Sequence, residues 1–445
     1  MSIAAETGAL AQLVQVLFSH WKNAGIEFVV LRNYEELPYH TSNDIDILVS
    51  PRQRRAAESL LRESAHSCGW ILYNRVEFSP VSMFFWHPFT SEHAQFDLFH
   101  WLKWRGFTIL PAQAILDNRV DRGLFCVPTP AHEAVLNLLT RFIYHGRVKE
   151  SYKAAITNVF RAQPTEVQGL LADVAGKRLA RELLRLVSLE QWDKLEQHGG
   201  QLRRAVIMRQ FLRRPHFTAV SLAMEAARLL RRIFRPPGVS VLLFGPDGVG
   251  KSAVIARLQE LHALLFRRSA LYHFCPMLLR KKNTGIVTEP HQLPPRSMLV
   301  SWLKVLYYFA DHWLGYLLQL WPAKFQSACI IFDRHFDDLL IDPRRYRIQR
   351  SAWLVRVLRR LLPPRDRVYV LDAPPEVVRQ RKTELSVEEL ARQRAALRQL
   401  AAGDPHFVVV DATAPIEAVA RTIARDVIES LAARQQRRDR KRGNG

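Results

Sequence analysis

Apolar residues recur along this chain with two different periods, and the change of period predicts how the chain is organised. Up to about residue 145, helical stretches alternate with short apolar runs that are typical of strands, at 28–31, 45–49 and 95–99. From about residue 150 to 232 the spacing is helical throughout, as it is between Leu222 and Ile233. An α+β segment is therefore followed by a helical connector.

A proline-rich break separates the helical connector from the second half. Arg235-Pro-Pro-Gly238 ends the last helix, because proline cannot donate the backbone N–H that a helix needs. Beyond it, apolar strands alternate with helices, which predicts a doubly wound parallel sheet covered on both faces. Its strands are expected at 239–244, 328–332, 367–371 and 407–410.

These patterns together predict a multidomain α/β protein. A chain of 445 residues, of which 48% are apolar, is long enough to form two or three domain cores. The expected parts are an α+β domain at 8–145, the connector at 150–234, the parallel-sheet domain at 239–433 and a basic tail at 434–445.

The most apolar stretch, Val300 to Trp321, is interpreted as a buried, aromatic-rich helix. A membrane span would rarely carry Lys304, Asp311 and His312 near its centre, so no transmembrane segment is expected. The residues Met1–Thr7 lack the basic start of a secretory signal. Four widely spaced cysteines fit a reducing compartment, and the protein is therefore expected to be cytoplasmic.

The net charge of +22 indicates an anionic partner: a nucleotide, nucleic acid or an acidic membrane surface. Nucleic acid is the less favoured partner, because the arginines are spread along many helices in the manner of solvated helix faces. The densest basic run, Arg434–Arg442, is interpreted as a frayed terminus. It leaves open a weak peripheral contact with a lipid surface or RNA.

A phosphate-binding loop stands between a predicted strand and a predicted helix. Residues 245–252 read Gly-Pro-Asp-Gly-Val-Gly-Lys-Ser, so backbone N–H groups and a helix N-terminus surround the expected position of a polyphosphate. Lys251 can reach the β- and γ-phosphates, and the Ser252 hydroxyl can coordinate Mg²⁺. The sequence therefore predicts binding of ATP and Mg²⁺. The residues expected to hold the nucleotide are Gly245, Asp247, Gly248, Val249, Gly250, Lys251, Ser252 and Ala253.

Two further segments indicate phosphoryl transfer. The strand 328–332 delivers Asp333 and Arg334 at its carboxyl end, the edge where open α/β sheets bind ligands. Asp333 can hold Mg²⁺ or orient a sugar hydroxyl, and Arg334 can grip a phosphate. A later arginine-rich segment with Arg379, Arg381 and Arg392 can close over the triphosphate and stabilise transition-state charge.

Residues 239–430 resemble the thymidylate kinase family. The matching motifs are the loop at 245–252, Asp-Arg-His at 333–335 where the family usually has Asp-Arg-Tyr, Leu-Asp-x-Pro-Pro-Glu at 371–376, and Asp-Ala at 411–412. The resemblance implies that Asp247 and Asp333 lie near the acceptor nucleotide and the metal, and that Arg334 lies near the acceptor phosphate. Gly248 stands where some members carry a catalytic arginine. Members with glycine there carry that arginine in the lid, which favours Arg379, Arg381 or Arg392.

The chain departs from this family where the acceptor phosphate is recognised. The family's Arg-Glu-Pro-Gly segment is absent, and Tyr272–Pro276 and Thr288–His291 stand in that region. This pattern is similar to divergent members associated with bacterial surface polysaccharide loci. The acceptor is therefore expected to be a nucleoside monophosphate, dTMP-like, or a related phosphorylated small molecule.

The first half carries three carboxylates of its own. Asp44 and Asp46 lie two residues apart on one face of a predicted strand, and Asp97 lies within another strand. Carboxylates that converge from neighbouring strands suit two-metal nucleotidyl transfer. Residues 8–145 resemble the minimal nucleotidyltransferase fold, which implies a metal site at these three residues. The Gly-Ser pair that normally binds the triphosphate is replaced by residues 31–38, Leu-Arg-Asn-Tyr-Glu-Glu-Leu-Pro.

The function expected from the sequence is ATP-dependent phosphoryl transfer, with a nucleotidyltransferase-like domain of open activity and a part in surface polysaccharide biosynthesis. The alternative is a regulatory or scaffolding protein of polysaccharide assembly that binds ATP without turnover. Acceptor-dependent formation of ADP discriminates between them. The sequence leaves a homodimer open.

Overall fold

The computed structural model describes residues 8–41, 44–266, 268–276 and 294–443. The segments Met1–Thr7 and Thr288–His291 lie outside the described residues. The chain forms two compact units, one within residues 8–231 and the other spanning Arg232–Arg440.

The first unit mixes short strands with helices and then continues with helices alone. Its elements in chain order are α1 (Ala9–Asn23), β1 (Phe28–Val30), β2 (Ile45–Val49), α2 (Arg54–Ser67), β3 (Ile71–Glu77), β4 (Val81–Trp86), β5 (His93–Phe99), β6 (Leu102–Trp104), β7 (Phe107–Leu110), α3 (Ala112–Asp117), β8 (Val120–Asp121), β9 (Cys126–Val127), α4 (Pro130–His145), α5 (Glu150–Ala162), α6 (Pro164–Ala175), α7 (Lys177–Ser188), α8 (Trp192–Glu196), α9 (Gly199–Arg213) and α10 (Pro215–Phe234).

A five-stranded mixed sheet with the order β1-β2-β5-β4-β3 forms the centre of this unit. The strands β2 and β5 are parallel, with Asp46 opposite Asp97. Since side chains of paired residues lie on the same face of a sheet, these two carboxylates are neighbours. One hydrophobic cluster packs α1 and α2 against the sheet.

The helices that follow α4 share a hydrophobic core with it. Leu139 of α4, Leu171 of α6 and Leu183 of α7 belong to one buried cluster, which also contains Leu48 of β2. The helical segment is thus part of the first compact unit. The division into a domain at 8–145 and a connector at 150–234 stays a prediction.

The second unit alternates strands with helices. Its elements are β10 (Val239–Phe244), α11 (Lys251–Leu265), β11 (Arg268–His273), α12 (Met298–Gly315), a π-helical turn (Tyr316–Leu320), α13 (Trp321–Phe325), β12 (Ala328–Asp333), α14 (Asp338–Ile341), α15 (Ala352–Leu358), a 3-10 turn (Arg359–Leu361), β13 (Arg367–Asp372), α16 (Pro375–Arg381), α17 (Val387–Ala402), β14 (Phe407–Asp411) and α18 (Ile416–Gly443).

All strands of the second sheet are parallel, in the order β11-β12-β10-β13-β14. Four of them lie where the apolar runs predicted strands, and β11 is an additional edge strand. Helices cover both faces: His262 of α11 contacts Cys329 of β12 on one face, and Leu397 of α17 packs with Phe407 on the other. Because the strands are parallel, the carboxyl ends of β10 and β12 meet at one edge.

The apolar stretch at 300–321 is helical, but the expectation that it is buried is wrong. Asp311 and His312 are buried, whereas Leu303 and Leu318 are 58% and 66% exposed. Nδ1 of the buried His312 imidazole bonds the Tyr308 carbonyl, 2.8 Å away, which satisfies one of its two ring nitrogens. Among the described residues, no helix is both long and apolar enough to cross a membrane.

The expectation of a frayed basic tail is also wrong, because α18 continues to Gly443. Arg434 donates hydrogen bonds to the carbonyls of Pro237 (2.6 Å) and Gly238 (3.2 Å). Arg438 donates to the Pro236 carbonyl at 3.4 Å. Basic residues of the tail thus satisfy backbone acceptors of the segment that leads into β10.

Candidate active site

The phosphate-binding loop connects the carboxyl end of β10 to the amino end of α11. Gly248 has a φ of +92°, and a Cβ there would lie 2.8 Å from the Cβ of Lys382. Only glycine fits both that backbone conformation and that space. The first turn of α11 leaves its N–H groups without helical acceptors, so the loop and the helix together form an anion site.

Lys251 lies at the start of α11 and is folded onto the loop. Its ammonium donates hydrogen bonds to the carbonyls of Gly245 (2.6 Å) and Pro246 (2.9 Å). Burial and then the charge of Arg334 lower the pKa of Lys251 to about 8, although Asp247 and Asp333 oppose the shift. The side chain is therefore a buried cation without a directly bonded carboxylate, since the nearest Asp247 oxygen is 3.7 Å away.

Asp333 ends β12 directly beside β10, opposite Leu243. One carboxylate oxygen bonds the imidazole of His273 at 2.9 Å, and the other, Oδ1, is buried without a hydrogen-bond partner among the described residues. Burial alone would raise the pKa of Asp333, but His273 and Lys251 hold it below its usual value. An ionised oxygen without a donor, together with the exposed Ser252 hydroxyl on α11, fits the ligand preference of Mg²⁺.

Arg334 organises a buried cluster of charges next to the loop. Its guanidinium bonds Asp338 at 2.7 Å and Asp247. Arg345 bonds the second oxygen of Asp247 at 2.5 Å, and the Tyr346 hydroxyl bonds Asp338 at 2.9 Å. Burial favours the neutral form of Asp247, yet Arg334, Lys251 and Arg345 hold its pKa below the usual value. Two arginines thus lie at the sheet edge beside the loop.

The three arginines of the predicted lid occupy different positions. Arg381 donates to the carbonyls of Val249 and Ala412, both at 3.2 Å, and so contacts the phosphate-binding loop itself. Arg379 bonds the Leu385 carbonyl at 2.7 Å within its own segment. Arg392 pairs with Glu389 and bonds the Ile341 carbonyl. The structure brings Arg381 alone of these three into a described contact with the loop.

The three carboxylates of the first unit converge. Oxygens of Asp44, Asp46 and Asp97 all lie within 4.8 Å of one another. Asp46 accepts a hydrogen bond of 2.5 Å from Arg32 at Oδ2, whereas its buried Oδ1 has no partner among the described residues. Burial raises the pKa of Asp46, with Arg32 opposing and Asp44 adding to the shift. Arg32 bonds only one oxygen of Asp46. The other oxygen, together with Asp44 and Asp97, can bind a divalent cation.

Part of this chain is similar in sequence to a known protein. The chain is 30% identical over 217 residues to a protein of Methanoculleus marisnigri described as a probable thymidylate kinase, and the match covers 97% of that protein. This chain belongs to the thymidylate kinase family. The match covers 44% of the chain, so family membership says nothing about the remaining part.

Other comparisons add less to the thymidylate kinase assignment. The crystal structure of thymidylate kinase from Ehrlichia chaffeensis is 17% identical, with a TM-score of 0.31, over 43% of this chain and 100% of that chain. No family profile matches the chain.

Residues that the motifs of the thymidylate kinase family did not single out complete the site. Arg345 bonds Asp247, and His273, which lies in the segment Tyr272–Pro276, bonds Asp333. Arg334 pairs with Asp338 four residues later, but α14 begins only at Asp338, so helical spacing does not explain this ion pair. No local spacing indicates Arg345, because Asp247 lies 98 residues away.

Proposed function

We propose that the second unit transfers the γ-phosphoryl group of ATP to a nucleoside monophosphate, dTMP-like, or to a related phosphorylated acceptor. The observation that carries the proposal is a second cationic group beside the phosphate-binding loop. A protein that only binds ATP needs the loop and Lys251. Arg334 and Arg345 both bond Asp247 in this structure, and in the complex they would exchange that carboxylate for the phosphate of an acceptor at the same sheet edge.

The chain's own residues supply positioning and charge. Lys251 exchanges the loop carbonyls of Gly245 and Pro246 for phosphate oxygens. Ser252 and Asp333 are the residues that would hold Mg²⁺, which neutralises phosphate charge when bound. Arg381, which already contacts the loop, stabilises the charge that develops in the transition state.

Formation of ADP, measured with ATP and a panel of nucleoside monophosphates and sugar phosphates, tests this proposal. At least one acceptor should raise the rate of ADP formation above the rate with ATP and water. Arg381→Ala should then lower kcat by roughly 100-fold with little change in the KM for ATP, because its charge is needed only in the transition state.

The control is Arg421→Ala, which removes an exposed arginine paired with Glu417 on α18. Its kcat should stay within about twofold of the unchanged protein, since surface pairs contribute little. Tight ATP binding without ADP formation on any acceptor would support the alternative, a regulatory or scaffolding protein. Phosphorylation of an acceptor other than dTMP would identify a different substrate and would still support the proposed phosphoryl transfer.

A second activity, metal-dependent nucleotidyl transfer in the first unit, is supported by the convergence of Asp44, Asp46 and Asp97. We expect the protein without nucleotide to bind Mn²⁺ there. Asp44→Asn should weaken that binding by roughly tenfold or more, because it removes a charge and a ligand from a shared site. Paramagnetic resonance of free Mn²⁺ measures the affinity.

Asp117→Asn serves as the matched control, since Asp117 is an exposed carboxylate bonded to Gln113 on α3. ATP affinity at the second unit should not change in either variant. Equal Mn²⁺ affinity in Asp44→Asn and in the unchanged protein would contradict the metal site.

Four expectations from the sequence stay predictions: a homodimer, a weak membrane contact, a cytoplasmic location and a part in surface polysaccharide biosynthesis.

A further inference from the structure

The first unit contains a cavity of about 950 Å³ that neither the kinase site nor the carboxylate group uses. This volume lies within the range of small-molecule sites, roughly 300–1,000 Å³. Its walls are the residues after β2 and β5, the strand β7, and the junction between α9 and α10. Gln210 fixes this junction to β7, because its side-chain amide exchanges two hydrogen bonds with the backbone of Thr108, at 2.9 and 2.6 Å.

Cations dominate the charged groups of this cavity. Four arginines line it against two carboxylates, which leaves two net positive charges; the six residues are Arg52, Arg209, Arg213, Arg214, Glu27 and Asp173. Within the described part of the chain, none of the four guanidinium groups forms an ion pair or a side-chain hydrogen bond, unlike Arg75, which pairs with Glu58 and Glu77.

A buried donor adds to this excess of positive charge. The Nε of Arg209 is buried and lacks a hydrogen-bond acceptor among the described residues. A buried guanidinium N–H without an acceptor is costly, and an anion in the cavity would supply one. The last turn of α9 and the first turn of α10 both line the cavity, so their opposite dipole ends offset each other and the positive potential comes from the arginines.

Aromatic rings form another part of the lining. Trp101 and Phe217 are half-buried, and their ring centroids lie 5.9 Å apart in an edge-to-face arrangement. The ammonium of Lys103 lies 4.5 Å from the centroid of Trp101, which fixes that ring. A rigid aromatic pair beside free guanidinium groups suits a ligand that combines a flat ring with a negative charge.

The cavity is separate from the three carboxylates. Ser50 and Trp101, which line it, lie four residues beyond Asp46 and Asp97 along the paired strands β2 and β5. Four residues of a strand span about 13 Å, so a cation held by the carboxylates would not occupy this space.

We propose that this cavity binds a small phosphate ester, with the phosphate on Arg209, Arg213 and Arg214 and a flat-faced ring against Trp101 and Phe217. Nucleoside phosphates and sugar phosphates share this chemistry. The proposal does not rest on the kinase activity of the second unit.

Calorimetric titration of the full-length protein tests it, with uridine diphosphate, glucose 1-phosphate, inorganic phosphate and uridine as probes. Lys251→Ala serves as the background, so that the phosphate-binding loop contributes little. One of the two esters should bind more tightly than inorganic phosphate and uridine, and which one it is identifies the source. Arg213→Ala combined with Arg214→Ala should weaken its binding at least tenfold, because the double variant removes two charged donors to the phosphate.

Two further variants separate the parts of the site. Trp101→Leu should weaken the ester but not inorganic phosphate, because it removes the aromatic face alone. Arg204→Ala removes an exposed arginine of α9 that does not line the cavity, and it should leave all affinities within about twofold. The proposal is overturned if neither ester binds, or if the paired arginine variant binds the ester as tightly as its background does.

Discussion

Replacing Lys251 by alanine should lower the affinity for ATP by roughly 100-fold, about 3 kcal/mol, and leave the protein folded. The ammonium bonds only carbonyls of its own loop, so its removal breaks no described contact with the sheet. In the complex it would be the buried cation closest to the phosphates. Calorimetry gives the affinity, and thermal denaturation followed by circular dichroism reports the fold.

The pH dependence of ATP binding checks the same residue independently. With a pKa of about 8, Lys251 is cationic below this pH and loses its proton above it. ATP affinity should therefore be level below pH 8 and fall above it, by at most about tenfold per pH unit. Lys153→Ala, which removes an ammonium of the first unit paired with Glu150 at 2.7 Å, should keep this profile, and Lys251→Ala should lose it. Identical profiles and affinities in all three proteins would refute the assignment.

Replacing Arg334 by alanine should lower kcat/KM for the acceptor by roughly 100-fold or more, with a much smaller loss of ATP affinity. The guanidinium is buried between Asp338 and Asp247. Breaking these buried pairs leaves Asp338 without its cation, whereas Asp247 keeps Arg345, so the free energy of unfolding should also fall by about 3 kcal/mol. Steady-state kinetics with varied acceptor and urea denaturation measure the two effects.

Arg334→Lys keeps the positive charge. This variant therefore separates the loss of acceptor binding from the loss of stability. It should recover part of the stability but little of the acceptor affinity, because an ammonium lacks the planar fork that holds a phosphate. If both variants weaken ATP and the acceptor equally, the acceptor pocket lies elsewhere.

Local motifs predicted which residues meet beside the phosphate-binding loop, and their role in binding a nucleotide stays a prediction. The glycines and Lys251 act through the conformation of one loop, and Asp333 and Arg334 follow directly from the end of an apolar strand. The contacts of Arg345 with Asp247 and of His273 with Asp333 required the three-dimensional arrangement, because the partners lie 98 and 60 residues apart in the sequence.

Periodicity failed where burial did not follow hydrophobicity. The edge strand β11, Arg-Ser-Ala-Leu-Tyr-His, has no continuous apolar run, since it is paired on one side only and four of its six residues are exposed. In α12 the polar Asp311 is inside and Leu303 outside. A one-dimensional pattern shows that a helix has an apolar face, but not which partner covers it.

The hydrogen bonds from α18 to the segment before β10 bear on how the kinase half should be produced by itself. A fragment cut at residue 433, where the apolar pattern ends, would lose Arg434 and leave the carbonyls of Pro237 and Gly238 without their donors. It would also remove a guanidinium 3.5 Å from Asp366. A fragment from Arg235 to Arg440 keeps Arg434 together with Pro237, Gly238 and Asp366. A purification tag is better placed at its amino terminus.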